Sequence, residues 1–188
     1  MKLIARGRHS YIFLTQRGSI IKRFRPAFEK NFEKEIYFLT KLANYNFVPK
    51  IYSYNKNNLE IEMEYIRGQH LLDIIKSKNT LKLVYTIRRC IDICYLLDTL
   101  KIQKEEMHRP YKHVFLSGSR IVFIDWERAK ETKKPSNLTQ FAQFLARDKK
   151  LKDLLQIDPE FIKDVCKKYK RNFSKDLVEL LKSKINKL

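Results

Sequence analysis

The chain has 188 residues, of which 44% are apolar and 12% aromatic. This composition excludes a disordered or low-complexity protein, and the length is sufficient for a buried core. Forty Lys and Arg residues against 21 Asp and Glu give a net charge of +19. Such a charge favours a polyanionic partner, RNA or DNA first and an anionic membrane surface second, with a lysine-rich compositional bias as the alternative explanation. No stretch is long and apolar enough to span a bilayer and no secretory leader is recognisable, so we expect a cytoplasmic protein without a membrane partner.

The first third of the chain is predicted to be rich in strands. The predicted elements are strands within residues 2–25, a helix over 28–45, and strands over 50–55 and 59–66. Arg17-Gly18 is a plausible hairpin turn within the first of these stretches, which Pro26 ends. Gly68 marks a break after the last strand.

The remainder is predicted to be mainly helical around one hairpin. Its predicted helices cover residues 70–77, 80–101, 137–156, 159–171 and 175–188. Asn137, Asp158 and Ser174 are suitable N-caps for the last three helices. Two extended segments on either side of Gly118 predict the hairpin.

This order predicts an α+β fold with two lobes in a single domain. The N-lobe would comprise residues 1–66 and the C-lobe residues 67–188, with the join at residues 64–68. A cleft between two such lobes is where a ligand is expected to bind.

Four elements carry residues typical of phosphate and metal chemistry. Gly7 lies in a turn between strands, where free amides can surround phosphates. Lys22 interrupts an apolar strand; if it faces inward it needs a partner, for which Glu35 is placed, and otherwise it is the outward residue of an edge strand. Residues 105–113 form a dense polar segment with two histidines. Asp125 ends an apolar strand, a position from which carboxylates commonly bind Mg²⁺.

Together, these elements resemble the protein-kinase-like fold, in particular the small archaeal atypical kinases near the RIO family and the kinase of the KEOPS complex. The resemblance covers about residues 3–135 and implies ATP and Mg²⁺ as cofactors. It implies that Lys22 holds the nucleotide phosphates, that Glu35 orients Lys22 and that Asp125 binds Mg²⁺. It assigns further nucleotide contacts to the turn and to the hinge between the lobes, namely to Gly7, Arg8, Ser10, Glu64 and Ile66.

The chain departs from this family in the catalytic loop. His108 stands where the family has its catalytic Asp, and His113 stands where it has a metal-binding Asn. A histidine titrates near neutral pH, so His108 is expected to take the proton of the acceptor hydroxyl or to position that hydroxyl. His113 is expected to be a metal ligand or a phosphate donor. A pseudokinase is the alternative that these replacements leave open.

The loop and the residues after Asp125 also resemble an archaeal RNA kinase that phosphorylates a ribose 2′-hydroxyl of uridine 47 in the variable loop of tRNA. This implies tRNA as the substrate of a monomeric enzyme, and the net charge agrees with such a substrate. A RIO-like Ser/Thr protein kinase and a non-catalytic RNA-binding pseudokinase are the alternatives. Predicted RNA contacts are Arg6, Arg109, Lys112, Lys130, Lys133, Lys134, Lys167, Lys168, Lys170 and Arg171.

Overall fold

The computed structural model describes residues 1–185 and contains both helices and strands, as expected. It divides into two compact units, the first comprising Met1–Gly68 and Ser117–Ala129, the second Gln69–Leu116 and the described residues from Lys130 onward. The sequence prediction had placed Ser117–Ala129 in the C-lobe. Among the described residues, no helix combines the length and apolar character needed to cross a membrane.

The described part of the chain contains ten strands and seven α-helices. The strands are β1 (Lys2–Arg6), β2 (Ser10–Leu14), β3 (Ile20–Phe24), β4 (Ile51–Asn55), β5 (Glu60–Met63), β6 (Gln69–His70), β7 (Ile102–Gln103), β8 (Val114–Ser117), β9 (Arg120–Phe123) and β10 (Lys130–Glu131). The helices are α1 (Glu29–Lys41), α2 (Leu71–Ser77), α3 (Thr80–Thr99), α4 (Asn137–Arg147), α5 (Lys149–Leu155), α6 (Pro159–Asn172) and α7 (Lys175–Lys184).

A five-stranded antiparallel sheet forms the centre of the first unit. Its strand order is β1-β2-β3-β5-β4, so β3 is an interior strand and β1 and β4 are the edges. Gly18 has a φ of +81° in the turn between β2 and β3, which confirms the predicted hairpin. Helix α1 contributes Phe32, Phe38 and Leu39 to the core of this unit, because these side chains recur at helical spacing.

The segment Ser117–Ala129 belongs to the first unit because its backbone and side chains form hydrogen bonds with residues of that unit. The amide of Phe123 donates to the carbonyl of Phe47 at 2.8 Å. The Arg120 guanidinium binds both carboxylate oxygens of Glu64. Long-range contacts of this kind have no local sequence signal, which is why the predicted lobe boundary differs.

The second unit is mainly helical and contains a buried polar cluster. The Asp98 carboxylate accepts hydrogen bonds from the amides of Asn137 and Leu138, at 2.9 and 3.2 Å, and thereby caps α4. Asn137 is therefore wrongly predicted as an N-cap: Ser136 holds that position, and the Asn137 side chain donates to Asp98 at 2.7 Å. The hydroxyl of Tyr169 also donates to Asp98, at 3.1 Å.

The other predicted helix starts in this unit are largely confirmed. Asp158 caps α6 with its side chain, whereas Ser174 holds the N-cap position of α7 without a capping hydrogen bond. The first of the three C-terminal helices is split in two, because the backbone of Asp148 is extended and ends α4, while its side chain accepts a hydrogen bond from the amide of Leu151 and caps α5. The last helix ends at Lys184, and the predicted continuation at residues 186–188 lies outside the described residues.

Candidate functional site

The side chain of Lys22 is buried in the first unit. Lys22 lies in the interior strand β3, opposite Ile12 of β2 and Ile61 of β5, and is 3% exposed. Alternation along the strand turns it towards the core, so the edge-strand interpretation is wrong. A buried ammonium needs hydrogen-bonded counter-charges.

Helix α1 supplies the first counter-charge. Glu35 is 2% exposed, and its Oε2 accepts a hydrogen bond from Nζ of Lys22 at 2.9 Å. Glu35 lies three residues after Phe32 and three before Phe38, so it shares the inward face of the helix with these core residues. The predicted Lys22–Glu35 pair is thus confirmed as a contact.

Asp125 supplies the second counter-charge. It follows β9, and its Oδ1 lies 3.0 Å from Nζ of Lys22. The backbone of Asp125 has a φ of +60°, a left-handed conformation that Asp tolerates better than most residues. Its side chain is 37% exposed, far more than those of Lys22 and Glu35.

Glu127 is a third counter-charge that the sequence analysis did not predict. Its Oε2 lies 3.2 Å from Nζ of Lys22, and its Oε1 accepts a short hydrogen bond from Nδ1 of His9. The His9 ring stacks on Phe28, with 4.2 Å between the ring centroids. The available signal was the position of Glu127, two residues after Asp125, to which the resemblance assigns Mg²⁺.

The electrostatics of this cluster are those of one cation shared by three anions. Burial on its own would lower the pKa of Lys22, but the charges of Asp125, Glu35 and Glu127 outweigh it and raise that pKa well above its ordinary value. The pKa of Glu35 is also raised. Burial is the main cause, and the negative charges of Asp125 and Glu127 add to it, whereas the positive charge of Lys22 opposes it. The cluster therefore carries excess negative charge that a further cation would offset.

The geometry bears on whether Mg²⁺ and a nucleotide fit here. An ammonium has three N–H donors, and that of Lys22 lies within 3.2 Å of three carboxylates, those of Glu35, Asp125 and Glu127. A phosphate oxygen would therefore replace one of these carboxylates at Lys22. The carboxylate so released has the hard oxygen donors that Mg²⁺ prefers. The donor set thus fits a magnesium–phosphate ligand, although the described residues contain no preformed cluster of three or more metal-ligating side chains.

The turn between β1 and β2 contains the other predicted phosphate contacts. The amide of Gly7 already donates to the carbonyl of Ser10 at 2.8 Å, so this amide is engaged within the turn. Ser10 is buried, whereas Arg8 is exposed. Of the predicted residues, Arg8 is therefore the most accessible to an anion. The next residue of the turn, His9, is bonded to Glu127.

The predicted hinge residues Glu64 and Ile66 lie between β5 and β6. The Ile66 side chain is buried, and the amide of Glu64 donates to the carbonyl of Lys50 at 2.8 Å. Burial would raise the pKa of Glu64, but the hydrogen bonds from Arg120 and Lys50 outweigh it and lower that pKa. The Glu64 side chain is thus a structural group.

The predicted catalytic loop lies in the second unit. His108 is exposed and makes no hydrogen bond with other described residues. Nε2 of His113 lies 3.0 Å from a carboxylate oxygen of Glu106, a residue held at a φ of +76°. A non-glycine residue in this conformation is strained, which is frequent at functional sites. Glu106 belongs to the polar segment of residues 105–113, but the kinase resemblance assigns it no role.

The predicted RNA-binding residues are exposed. Arg6 lies on the first unit, and the others lie on the second. The predicted contacts on that unit, all of them exposed, are Arg109, Lys112, Lys130, Lys133, Lys134, Lys167, Lys168, Lys170 and Arg171. Lys130 is paired with Glu105 at 2.9 Å. Tyr169, which lies among the α6 cations in the sequence, is 1% exposed and bonded to Asp98, so its ring is not accessible for stacking on a base.

The structure therefore brings together Lys22, Glu35 and Asp125 in the first unit, and Glu106 with His113 in the second. Lys22, Glu35 and Asp125 come from three separate elements, β3, α1 and the segment after β9, whereas Glu106 and His113 both lie between β7 and β8.

Comparison with known proteins assigns no activity to this arrangement. No family model matches the chain. The uncharacterized protein MJ1211 of Methanocaldococcus jannaschii is 27% identical to it over 116 residues, which cover 58% of this chain and 99% of that protein. The function has to be inferred from the geometry of the site.

Proposed function

We propose that the protein is an ATP-dependent kinase of protein-kinase-like fold that phosphorylates RNA, with a tRNA ribose 2′-hydroxyl as the acceptor. The observation that carries this proposal is the buried Lys22, which contacts both Glu35 and Asp125. A lysine oriented by a helical glutamate, next to a metal-binding aspartate, is the arrangement that kinases use for phosphoryl transfer.

Each residue of the cluster has a role in this proposal. Lys22 binds the nucleotide phosphates. Glu35, which is more deeply buried than Asp125, holds Lys22 in place. Asp125 binds Mg²⁺ through its carboxylate, and His113 is a second metal ligand or a phosphate donor. When bound, Mg-ATP supplies the phosphoryl group and the positive charge that stabilises it during transfer. His108 takes the proton of the acceptor hydroxyl, for which its exposure leaves it accessible.

The choice of RNA over protein as the acceptor rests on charge. The net charge is +19, and the predicted RNA-binding cations are exposed in the structure. A polyanion gains affinity from each phosphate that such a cation neutralises. A protein acceptor has no general requirement for so large an excess of positive charge.

A non-catalytic nucleotide- and RNA-binding protein is the second candidate. The observation that favours it is the engagement of His113 by Glu106, at 3.0 Å, together with the absence of a described hydrogen-bond partner for His108. In the structure without ligands, therefore, no contact between described residues orients either histidine for catalysis.

The test is incubation with γ-labelled ATP and Mg²⁺, with either total archaeal tRNA or a generic protein substrate, followed by mapping of the labelled nucleotide. We expect label in tRNA on a ribose hydroxyl. Asp125→Ala should remove the label but retain RNA binding, whereas Asp153→Ala, which removes an exposed aspartate, should change neither. Label in protein alone would favour the protein-kinase alternative. ATP binding without transfer to either substrate would favour the non-catalytic one.

A further inference from the structure

A groove runs between α1 and the edge strand β4 in the first unit. Its volume is about 680 Å³. Phe32 and Ile36 form its apolar base, Tyr37 stands on the α1 side and Tyr54 on the β4 side. None of these residues belongs to the cluster around Lys22 or to the predicted RNA contacts.

The two tyrosines of the groove are exposed. Tyr37 is 51% exposed and Tyr54 is 52% exposed. The Tyr54 side chain makes no hydrogen bond or ring contact with the described residues. The fold therefore gains little from its aromatic ring, and a flat apolar ring presented to solvent beside a groove is suited to stacking against another flat ring.

The groove is also positively charged. Lys41 and Lys56 line it, against a single carboxylate in its described lining, that of Glu33. Residues 36–58, which include most of the lining, contain three lysines and no Asp or Glu. The ammonium of Lys41 lies 5.5 Å from the centroid of the Tyr37 ring, so cation and aromatic ring are presented together.

We propose that this groove binds a single-stranded segment of RNA, with a base stacked on Tyr54 and the backbone phosphates against Lys41 and Lys56. The choice of RNA as the polyanion rests on the proposed function. Single strands expose their base faces, whereas a duplex hides them, and stacking on aromatic rings beside cations is the general mode of single-strand binding.

The chemistry of the groove favours RNA over a peptide. An apolar helix would need a continuous apolar floor, but Phe32 is almost fully buried and offers little surface. The exposed apolar area is concentrated on tyrosine rings flanked by lysines. This combination suits a ligand that alternates flat bases with phosphates.

The test measures the binding of a short fluorescein-labelled oligouridine by fluorescence anisotropy. Tyr54→Ala should weaken binding by about five-fold to 150-fold, the usual effect of removing one stacked base. Tyr54→Trp should retain the affinity of the parent protein. Tyr52→Ala is the matched control, because Tyr52 is on the same strand and 58% exposed but does not line the groove. Annealing the probe to oligoadenylate should abolish the effect of Tyr54→Ala.

The lysines give a second measurement that does not depend on the tyrosines. Lys41→Gln and Lys56→Gln should each lower the slope of log affinity against log salt by about 0.7, the value for one single-strand phosphate contact. Thermal unfolding of each variant should match the parent, since these side chains are exposed.

The outcomes separate this proposal from the proposed function. If Tyr54→Ala binds oligouridine as the parent does while tRNA is still phosphorylated, the groove proposal is wrong and the kinase proposal stands. If Tyr54→Ala loses binding but the parent transfers no phosphate to RNA, the groove proposal stands and the kinase proposal falls. A parent protein without affinity for oligouridine would also overturn the groove proposal.

Discussion

Glu127 and Lys22 are separated by more than half the chain, yet Oε2 of Glu127 lies 3.2 Å from the ammonium of Lys22. The other oxygen of Glu127 binds His9, so this carboxylate connects the buried lysine to the turn between β1 and β2. A phosphate that approaches Lys22 competes with Glu127 for it. Under the proposed function, Glu127 would therefore weaken the binding of a nucleotide phosphate to Lys22.

Replacing Glu127 by glutamine should strengthen nucleotide binding. The amide keeps the shape of the side chain but removes a negative charge that repels phosphate and competes for Lys22. We expect the Kd for ATP in isothermal titration calorimetry to fall by about five-fold, equivalent to about 1 kcal/mol. Glu62→Gln, which removes a carboxylate from β5, the strand beside β3, is the control and should leave the Kd unchanged. Weaker binding to Glu127→Gln would show that this carboxylate supports the site instead of competing with the ligand.

The two members of the buried Lys22–Glu35 pair should differ in their effect on stability. Lys22→Met leaves three carboxylates without their shared cation and should lower the free energy of unfolding by about 3–5 kcal/mol. Glu35→Gln should cost less, about 1–2 kcal/mol, because Lys22 keeps Asp125 and Glu127 as partners. Urea unfolding followed by circular dichroism measures both. Equal losses would mean that Glu35 alone compensates the charge of Lys22.

Removal of the His108 imidazole should affect turnover without affecting stability. His108→Ala should lower the rate of phosphoryl transfer by about two to four orders of magnitude, the usual contribution of a positioned acid–base group. His108→Asp, which restores the residue of the kinase family, should recover part of this loss. Because His108 is exposed, the melting temperature should be that of the parent. If both variants turn over like the parent, the assignment of His108 as the base is wrong.

The Glu64–Arg120 pair should make the protein sensitive to acid. The pKa of Glu64 is lowered in the folded protein, so the contribution of this group is present above its ordinary pKa and is lost as the pH falls through the lowered one. Glu64→Gln should therefore unfold at a lower temperature than the parent at pH 7, and the difference should shrink as the pH is lowered to about 3. Differential scanning calorimetry across this range measures it. A difference that is independent of pH would show that the pair stabilises the fold through its geometry and not through its charge.

The local pattern of the sequence was sufficient for most elements of the fold. Alternation predicted the strands around Lys22, helical spacing predicted α1, and Asp158 was recognised as a cap. The Lys22–Glu35 contact was expected from the kinase resemblance, because the residue pattern alone left open whether Lys22 faces inward and needs an anion. The strands, the helix and the cap depend on residues close to one another in the chain.

Tertiary structure decided the features that depend on which distant elements pack together. The Asp98 carboxylate displaced Asn137 from its expected capping role, and Glu127 joined Lys22 to His9, although no local pattern marked either contact. The groove beside Tyr54 likewise exists because α1 packs against the edge strand β4, which leaves scattered tyrosines and lysines side by side. Sequence periodicity specifies the buried face of an element, whereas the partner of that face is set by the packing of the whole unit.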